Sequence, residues 1–292
     1  MIFTALIGKP TSHSVSPKLF ALYAKEFNLE YSHLKIDVEP KDLSTSLQAI
    51  KKLNFNGLNI TLPHKIKIMK YVDIIDPEAK AIGAVNTVVN KGGKLFGYNT
   101  DSYGAVATIK QWIKNLKGKD VLVLGTGGAS RALVYGLLKE GAIVTVAFRN
   151  PKSIRTKSMF KDFKNKVKFI ENSESNLVKN TIACQIICNA TSCGMNHELD
   201  QTPLSLKVLK LSAKSSDFAQ KLFFDVIFNP YKTLFLKNAR KFKAKIQGGT
   251  EMMIYQGIKA FNLWTGYQVS SKTVKSARNI LKNHLEGRGY EK

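Results

Sequence analysis

The sequence of 292 residues has few cysteines and no long apolar runs. Its three cysteines, Cys184, Cys188 and Cys193, form no CxxC pair and accompany no histidine cluster, which excludes a disulfide framework and a structural zinc site. No run approaches the roughly 18 apolar residues of a membrane span, and no basic region precedes an apolar N-terminal core. We therefore expect a cytoplasmic protein without a metal.

Acidic residues are also scarce. Lys and Arg number 45 against 21 Asp and Glu, which gives a formal net charge of +24. Such a charge attracts either nucleic acid or anionic small molecules. The basic residues are dispersed along the chain, whereas nucleic-acid readers concentrate them in a stripe or motif. The pattern favours a solvated, lysine-rich surface over a nucleic-acid interface.

The chain alternates strand-like and helix-like segments, which predicts an α/β layer structure. Its length favours two domains. The first hundred residues predict strands over 2–7, 31–38, 58–62, 87–90 and 94–98. An apolar strand over 120–124 then leads through a glycine turn into a helix and a further strand over 142–148, which is a βαβ unit.

The glycine turn reads GTGGAS over residues 125–130. It follows a strand and opens a helix, the arrangement that directs backbone N–H groups and the helix dipole at a pyrophosphate. Gly125 permits the tight turn, Gly127 and Gly128 let the backbone approach the phosphates, and Ser130 replaces the usual third glycine with another small residue. The turn predicts a dinucleotide, with a merely tight turn as the alternative.

The end of the following strand indicates which dinucleotide binds. An acidic residue there would accept a hydrogen bond from the ribose 2′-hydroxyl of NAD. Here the position holds Arg149, with Lys152 and Arg155 close behind. A guanidinium fork suits a 2′-phosphate, so we predict NADP over NAD. The alternative is that these are three more surface cations.

The stretch GKPTSHSVSP over residues 8–17 directly follows the first strand. Ser16 before Pro17 predicts an N-cap followed by proline at the first helical position. A capping role for Ser16 does not explain why Ser12, His13 and Ser14 are polar. These polar groups follow the carboxyl end of a strand, where open α/β sheets bind ligands.

Further polar residues lie at predicted strand ends in the first domain. They are Asn59, Thr61 and Lys65 in GLNITLPHK, Asn86 in IGAVNT, and Asn99, Thr100 and Asp101 in GYNTD. Buried polar groups need hydrogen-bond partners, and a hydroxylated ligand would supply them. Local bonding to turn backbone is the alternative for any one of them, but it accounts poorly for the whole set.

Together these motifs resemble the shikimate dehydrogenase family. The resemblance runs in order through GKPTSHSVSP, GLNITLPHK, DPEAKAIGAVNT, GYNTD, GTGGASRA, NATSCGM, DVIFNP and GGTEMMIYQGIKAFNLW. It implies two domains separated by a cleft. The substrate-binding catalytic domain would comprise residues 1–101 and 249–292, and the NADP-binding Rossmann domain residues 102–248. It also implies NADPH-dependent reduction of 3-dehydroshikimate to shikimate on the route to chorismate and the aromatic amino acids.

The resemblance assigns roles residue by residue. Lys65 and Asp101 resemble the catalytic pair. The implied substrate-binding residues are Ser14 and Ser16 for the carboxylate, and Asn59, Thr61, Lys65, Asn86, Asp101 and Gln256 for the ring. The implied cofactor-binding residues are Gly125, Gly127, Gly128, Ala129, Arg149, Thr191, Met195 and Gly248. Phe228 departs from the family pattern, which usually has tyrosine there, so a hydrogen bond from that hydroxyl to the substrate is absent.

Two alternatives stay open at this point. A related enzyme could also oxidise quinate and use NAD. The basic charge also allows a regulator that binds nucleotides or polyanions and no longer turns over, although retention of Lys65 and Asp101 argues against it. Beyond the small-molecule substrate, a second copy of the chain is a candidate partner.

Overall fold

The computed structural model describes residues 1–149, 163, 166–195 and 198–286. They form two compact units. Among the described residues, unit 1 comprises 1–104 and 254–286, and unit 2 comprises those within 105–253. Each unit contains its own six-stranded sheet. The predicted α/β class is confirmed, whereas the assignment of substrate and cofactor roles to particular domain boundaries stays a prediction.

The elements alternate along the chain. The strands are β1 (Ile2–Gly8), β2 (Tyr31–Asp37), β3 (Gly57–Ile60), β4 (Ile74–Ile75), β5 (Thr87–Lys91), β6 (Lys94–Tyr98), β7 (Asp120–Leu124), β8 (Ile143–Phe148), β9 (Val167–Glu171), β10 (Ile186–Asn189), β11 (Leu222–Asp225) and β12 (Lys245–Gln247). The described α-helices are α1 (Ser16–Glu26), α2 (Leu43–Lys52), α3 (Pro77–Ile82), α4 (Asp101–Lys110), α5 (Gly128–Lys139), α6 (Glu174–Ala183), α7 (Leu206–Ala213), α8 (Leu234–Arg240), α9 (Thr250–Thr265) and α10 (Ser271–Glu286).

The sheet of unit 1 has the strand order β2-β1-β3-β5-β6-β4. Strand β5 runs antiparallel to both of its neighbours, and the other pairs are parallel. The carboxyl ends of β1, β3 and β6 therefore lie at the same edge as the amino end of β5. This topology gathers the chain after Gly8, Ile60 and Tyr98 beside Thr87.

The two faces of this sheet are packed differently. One face is aliphatic and includes Ile7, Leu58 and Leu47 of α2. The other face carries an aromatic cluster in which Phe20 of α1 contacts Trp264 of α9 at 5.1 Å between ring centroids. Burying such rings provides the apolar area that fixes α1 and α9 on the sheet.

A histidine lies inside the aromatic cluster. His33 on β2 is 8% exposed, and its ring centroid is 4.4 Å from that of Phe20. Thr4 Oγ1 lies 2.7 Å from both His33 Nδ1 and the Tyr31 hydroxyl, whereas His33 Nε2 has no hydrogen-bond partner in the described part of the chain. Burial lowers the pKa of His33 to about 3, so the ring is neutral at physiological pH.

The sheet of unit 2 is entirely parallel, with the order β12-β11-β10-β7-β8-β9. This is the strand order of a doubly wound dinucleotide-binding sheet. The chain direction across the sheet reverses between β7 and β10. Ligands of such sheets bind at the carboxyl ends of the strands on either side of that reversal. Here those ends are Leu124 and Asn189.

The opposite end of β11 carries a buried lysine. Lys221 is 6% exposed, and its Nζ donates hydrogen bonds of 2.7 Å to the carbonyl oxygens of Ile182 and Cys184 at the end of α6. Burial lowers its pKa. The ammonium thus satisfies carbonyls that the helix leaves without an N–H partner, and its positive charge suits the helix carboxyl terminus.

We predict that acid destabilises the protein through His33. The folded pKa lies below the unfolded value of about 6.5, so the stability present above pH 6.5 is lost as the pH falls. Between pH 7 and pH 5 this linkage lowers the free energy of unfolding by about 2 kcal/mol. Urea unfolding at both pH values measures it. His33→Phe should reduce the pH dependence, and an unchanged pH dependence in this variant would contradict the prediction.

Candidate active site

An ion pair lies at the carboxyl edge of the unit 1 sheet. Lys65 Nζ is 2.7 Å from Asp101 Oδ2, and the two side chains are 28% and 14% exposed. Asn86 Nδ2 donates to the other oxygen, Asp101 Oδ1, at 2.8 Å. Both carboxylate oxygens therefore accept a hydrogen bond, and partial burial strengthens the attraction to the lysine relative to an exposed pair.

A buried hydrogen-bond network orients the Asn86 amide. Its Oδ1 accepts from the backbone N–H of Thr100 at 2.7 Å and from the Thr87 hydroxyl at 3.1 Å. Its Nδ2 donates to Thr100 Oγ1 at 3.0 Å. Because Oδ1 accepts from a backbone N–H, Nδ2 must point toward Asp101. The sequence predicted Asn86 and Asp101 at this site, but not the orienting roles of Thr87 and Thr100.

The network extends to two more residues of the predicted substrate set. Asn59 Nδ2 donates to Thr87 Oγ1 at 3.5 Å, and Thr100 Oγ1 donates to Gln256 Oε1 at 3.3 Å. Gln256 lies on α9, which is far along the chain from the other four. The structure therefore brings Asn59, Lys65, Asn86, Asp101 and Gln256 into one connected group.

Two turns hold the ion pair in place. Lys65 lies in the turn after β3, where its carbonyl oxygen accepts from the N–H of Val85 at 2.8 Å. The neighbouring His64 is fully buried, with Nε2 2.7 Å from the carbonyl oxygen of Val38. Asp101 is the first residue of α4, and Asn99 Oδ1 accepts from its N–H at 3.0 Å. Backbone and buried side chains thus position both charged groups.

The serine loop after β1 corrects one expectation. Helix α1 begins at Ser16, but its N-cap is Val15 and no side chain caps it. Ser16 does not act as the cap because its hydroxyl accepts from Ser14 Oγ at 3.0 Å, while its own N–H donates to Ser14 Oγ at 3.2 Å. The Ser14 hydroxyl thus contacts the first N–H of the helix, whereas the Ser16 hydroxyl caps no backbone N–H of α1.

Close backbone packing brings this loop beside Thr61. A Cβ added at Gly8 would lie 2.2 Å from Thr61 Cγ2 and 2.9 Å from the carbonyl oxygen of Leu62. The N–H of Lys9 donates to that same carbonyl at 3.0 Å. Only glycine permits this approach. The hydrogen bond thereby joins the segment after β1 to the segment after β3, and Thr61 lies half-buried between them.

Unit 2 places the glycine turn at the reversal of its sheet. Gly125 has φ 104°, and a Cβ there would lie 2.7 Å from Thr191 Cγ2. Ser130 Oγ donates to the carbonyl oxygen of Gly125 at 2.7 Å, so this serine closes the turn as well as being small. Gly127 and Gly128 are exposed and Ala129 is half-buried at the start of α5. The first N–H groups of a helix lack intrahelical partners and suit an anion.

The remaining predicted cofactor residues lie at neighbouring strand ends. Arg149 directly follows β8 and is exposed, whereas Lys152 and Arg155 lie outside the described residues. Thr191 and Met195 follow β10, and Met195 is 45% exposed. Gly248 follows β12 and is half-buried. Sequence reasoning did not predict Asp225, the last residue of β11, which bonds to Asn189.

The described residues lack two kinds of feature. No group of three or more His, Cys, Asp or Glu side chains there could hold a metal ion. No helix in the same part of the chain has the length and apolar character needed to cross a membrane. The expected cytoplasmic location stays a prediction.

Comparison with known proteins places this geometry in a family. Residues 6–88 match the model for the shikimate dehydrogenase substrate binding domain, and residues 249–277 match that for the shikimate 5′-dehydrogenase C-terminal domain. A shikimate dehydrogenase (NADP⁺) from Methanocaldococcus jannaschii is 37% identical over 93% of this chain and 94% of its own length. The chain belongs to the shikimate dehydrogenase family.

Solved structures of the family share this fold. Shikimate 5-dehydrogenase from Thermus thermophilus, in complex with NADP(H) and shikimate, is 32% identical, with a TM-score of 0.82 over 96% of this chain and 100% of that one. The Listeria monocytogenes enzyme, in complex with shikimate and NAD, is 28% identical, with a TM-score of 0.86 over 96% of each chain. The predicted family and α/β fold are confirmed.

We predict that Gly125→Ala and Gly127→Ala separate a folding role from a binding role. Alanine at 125 meets Thr191 and an unfavourable φ, whereas no described atom lies within 4 Å of a Cβ at 127. Gly125→Ala should therefore lower the melting temperature without cofactor, and Gly127→Ala should leave it unchanged. Both should weaken NADP⁺ binding measured by calorimetry. Unimpaired binding by Gly127→Ala would show that this glycine does not approach the phosphates.

Proposed function

We propose that the chain reversibly reduces 3-dehydroshikimate to shikimate with NADPH, using Lys65 and Asp101 as its catalytic pair. The 2.7 Å contact between Lys65 Nζ and Asp101 Oδ2 carries the proposal. It joins a proton donor to a carboxylate beside the amide and hydroxyl groups that suit a polyhydroxylated ring. Family membership supports the activity, and this geometry supports the assignment of the pair.

Unit 2 has the features that NADP requires. The left-handed φ of Gly125 and the exposed backbone of Gly127 and Gly128 form a turn that leaves room for a phosphate at the start of α5. No carboxylate directly follows β8, where Arg149 can pair with a 2′-phosphate. The chemistry supplied by NADPH when bound is a hydride for the ring carbonyl carbon.

Lys65 is suited to stabilise the substrate oxygen. As a carbonyl is reduced, its oxygen gains negative charge and then a proton. A lysine ammonium beside that oxygen offsets the charge and can donate the proton. Asp101 holds Lys65 at 2.7 Å and offers a carboxylate that can accept from an adjacent substrate hydroxyl.

The other polar groups would bind the rest of the substrate. Ser14 and Ser16 present two adjacent hydroxyls near the amino end of α1, where the helix dipole favours a carboxylate. Asn59, Thr61, Asn86 and Gln256 supply amide and hydroxyl groups for the ring. Phe228 is 37% exposed and has no hydroxyl to add to them.

Two alternatives give different results in one assay. The Listeria monocytogenes complex contains NAD, which favours testing both nucleotides, and a broader enzyme would also oxidise quinate. A regulator that binds polyanions would bind DNA with steep salt dependence and oxidise neither acid. The described ion pair between Lys65 and Asp101 favours an enzyme over such a regulator.

We expect the purified protein to generate reduced nicotinamide absorbance with shikimate and NADP⁺, and much less with NAD⁺ or quinate. Lys65→Ala and Asp101→Ala should each lower kcat by about 100-fold or more, because each removes a group that assists proton transfer. The absorbance change is followed under saturating substrate.

Lys67→Ala is the matched control. This lysine lies two residues from Lys65, but its Nζ donates to the carbonyl oxygen of Pro40. The Lys67 variant should keep the kcat of the unaltered protein. Near-normal turnover by Lys65→Ala or Asp101→Ala would refute the catalytic assignment, while the family membership would stand.

The serine loop gives a separate prediction. Ser14→Ala removes a hydroxyl whose described hydrogen bonds both join it to Ser16, the first residue of α1, so folding should change little. The variant should raise the KM for shikimate by about tenfold, which is the loss of roughly one hydrogen bond to a charged group. The KM for NADP⁺ should stay constant. Equal increases in both KM values would identify the loop as structural.

A further inference from the structure

The ends of two central strands of unit 2 carry a pair of buried polar residues. Asn189 closes β10 and Asp225 closes β11, and the two are partners in the parallel register. Both are 0% exposed. They lie at the carboxyl edge of the sheet, beside the reversal where such sheets bind their ligands. Neither residue belongs to the site that the sequence predicted.

Asp225 is a carboxylate held only by uncharged donors. Its Oδ2 accepts from the Thr233 hydroxyl at 2.6 Å and from Asn189 Nδ2 at 3.1 Å, and its Oδ1 accepts from the N–H of Ile227 at 3.0 Å. No ion pair within the described residues includes it. Burial raises its pKa to about 6. Burying a charge without a cation has a free-energy cost, which the hydrogen bonds from these uncharged donors offset in part.

The carboxylate fixes the orientation of the Asn189 amide. Because Asp225 accepts from Asn189, Nδ2 must face it and Oδ1 must face the opposite way. Oδ1 then accepts from the N–H of Thr191 at 2.9 Å and from its hydroxyl at 2.7 Å, and Nδ2 also donates to the carbonyl oxygen of Cys193 at 3.2 Å. One amide thereby shapes the segment 191–193.

That segment packs directly on the glycine turn. The Thr191 methyl group lies 2.7 Å from where a Cβ of Gly125 would stand. On the other side, Thr233 contacts Gly194, at which a Cβ would be 3.2 Å from Thr233 Cβ. Asp225 therefore connects, through Asn189 and Thr233, to both ends of the segment that runs from Thr191 toward the exposed Met195.

We propose that Asp225 is a positioning residue for the cofactor, which holds Thr191 and the segment 191–195 against the glycine turn through the Asn189 amide. The inference rests on the proposed function, because it assigns that segment to NADP binding. The effect of Asp225 passes through the orientation of the Asn189 amide and through the hydrogen bond from Thr233.

Asp225→Asn tests the proposal with almost no change in shape. The amide of the introduced asparagine places N–H groups where Asn189 or Thr233 now donates, so two donors would face each other. Asn189 can avoid this contact by turning its own amide. That turn withdraws Asn189 Oδ1 from Thr191. We expect the dissociation constant for NADP⁺, measured by calorimetry, to rise by about tenfold. The KM for shikimate should change by less than about twofold, because the substitution leaves the proposed substrate-binding residues unaltered.

Lys221→Met is the matched control, because it removes a buried charged group from the other end of the same strand. It should lower the melting temperature yet leave NADP⁺ affinity unchanged. A second variant, Thr233→Val, removes one donor to Asp225 and the side-chain cap of α8 while keeping the carboxylate, and should weaken NADP⁺ binding by about threefold. This variant keeps the test decisive if Asp225→Asn does not fold.

Normal NADP⁺ affinity in the folded Asp225→Asn and Thr233→Val variants overturns the inference, as does an equal loss of affinity in Lys221→Met. These outcomes are distinguishable from failure of the proposed function, in which the unaltered protein itself would bind no NADP⁺. Selective loss of NADP⁺ affinity in the Asp225 and Thr233 variants supports the positioning role.

Discussion

An asparagine amide that bonds an aspartate from a neighbouring strand end fixes the polar edge of the sheet in each unit. Asn86 donates to Asp101 in unit 1, and Asn189 donates to Asp225 in unit 2. At these ends the strand ladder stops, so buried polar groups must bond to each other or to a ligand. An amide suits this position because it donates and accepts at once, and each neighbour it engages restricts its orientation. The polar edge of each sheet depends on that restriction.

The two asparagine–aspartate pairs have different surroundings. Asp101 is 14% exposed, and its Oδ2 lies 2.7 Å from Lys65 Nζ. Asp225 is fully enclosed and its described partners are uncharged, so burial raises its pKa. An accessible ion pair suits proton transfer, whereas a sealed carboxylate suits the positioning of its neighbours. Access to solvent and the presence of a cation separate the two roles.

The regular elements were predictable where a local pattern is strong. The continuous apolar strand β7 and the alternating strands β5 and β6 were expected from the sequence within a few residues. The sequence analysis did not predict the short helices α6, α7 and α8. Each begins after a hydroxyl residue, Ser173, Ser205 or Thr233, that accepts from the backbone N–H three residues on. That capping signal was present, but short apolar runs among lysines gave too little periodicity to support it.

The sequence alone determined the family and the chemical groups, because its motifs occur in a fixed order and the glycine turn directly joins a strand to a helix. Only the tertiary structure decided which of these groups meet. Thr87 and Thr100 orient Asn86, and Thr100 reaches Gln256 across 156 positions of chain. The anchoring of Thr191 by Asn189 and Asp225 likewise requires β10 and β11 to pair in register. Such contacts depend on the order and register of the strands. Pairing between distant segments of the chain sets both, so no local sequence pattern encodes them.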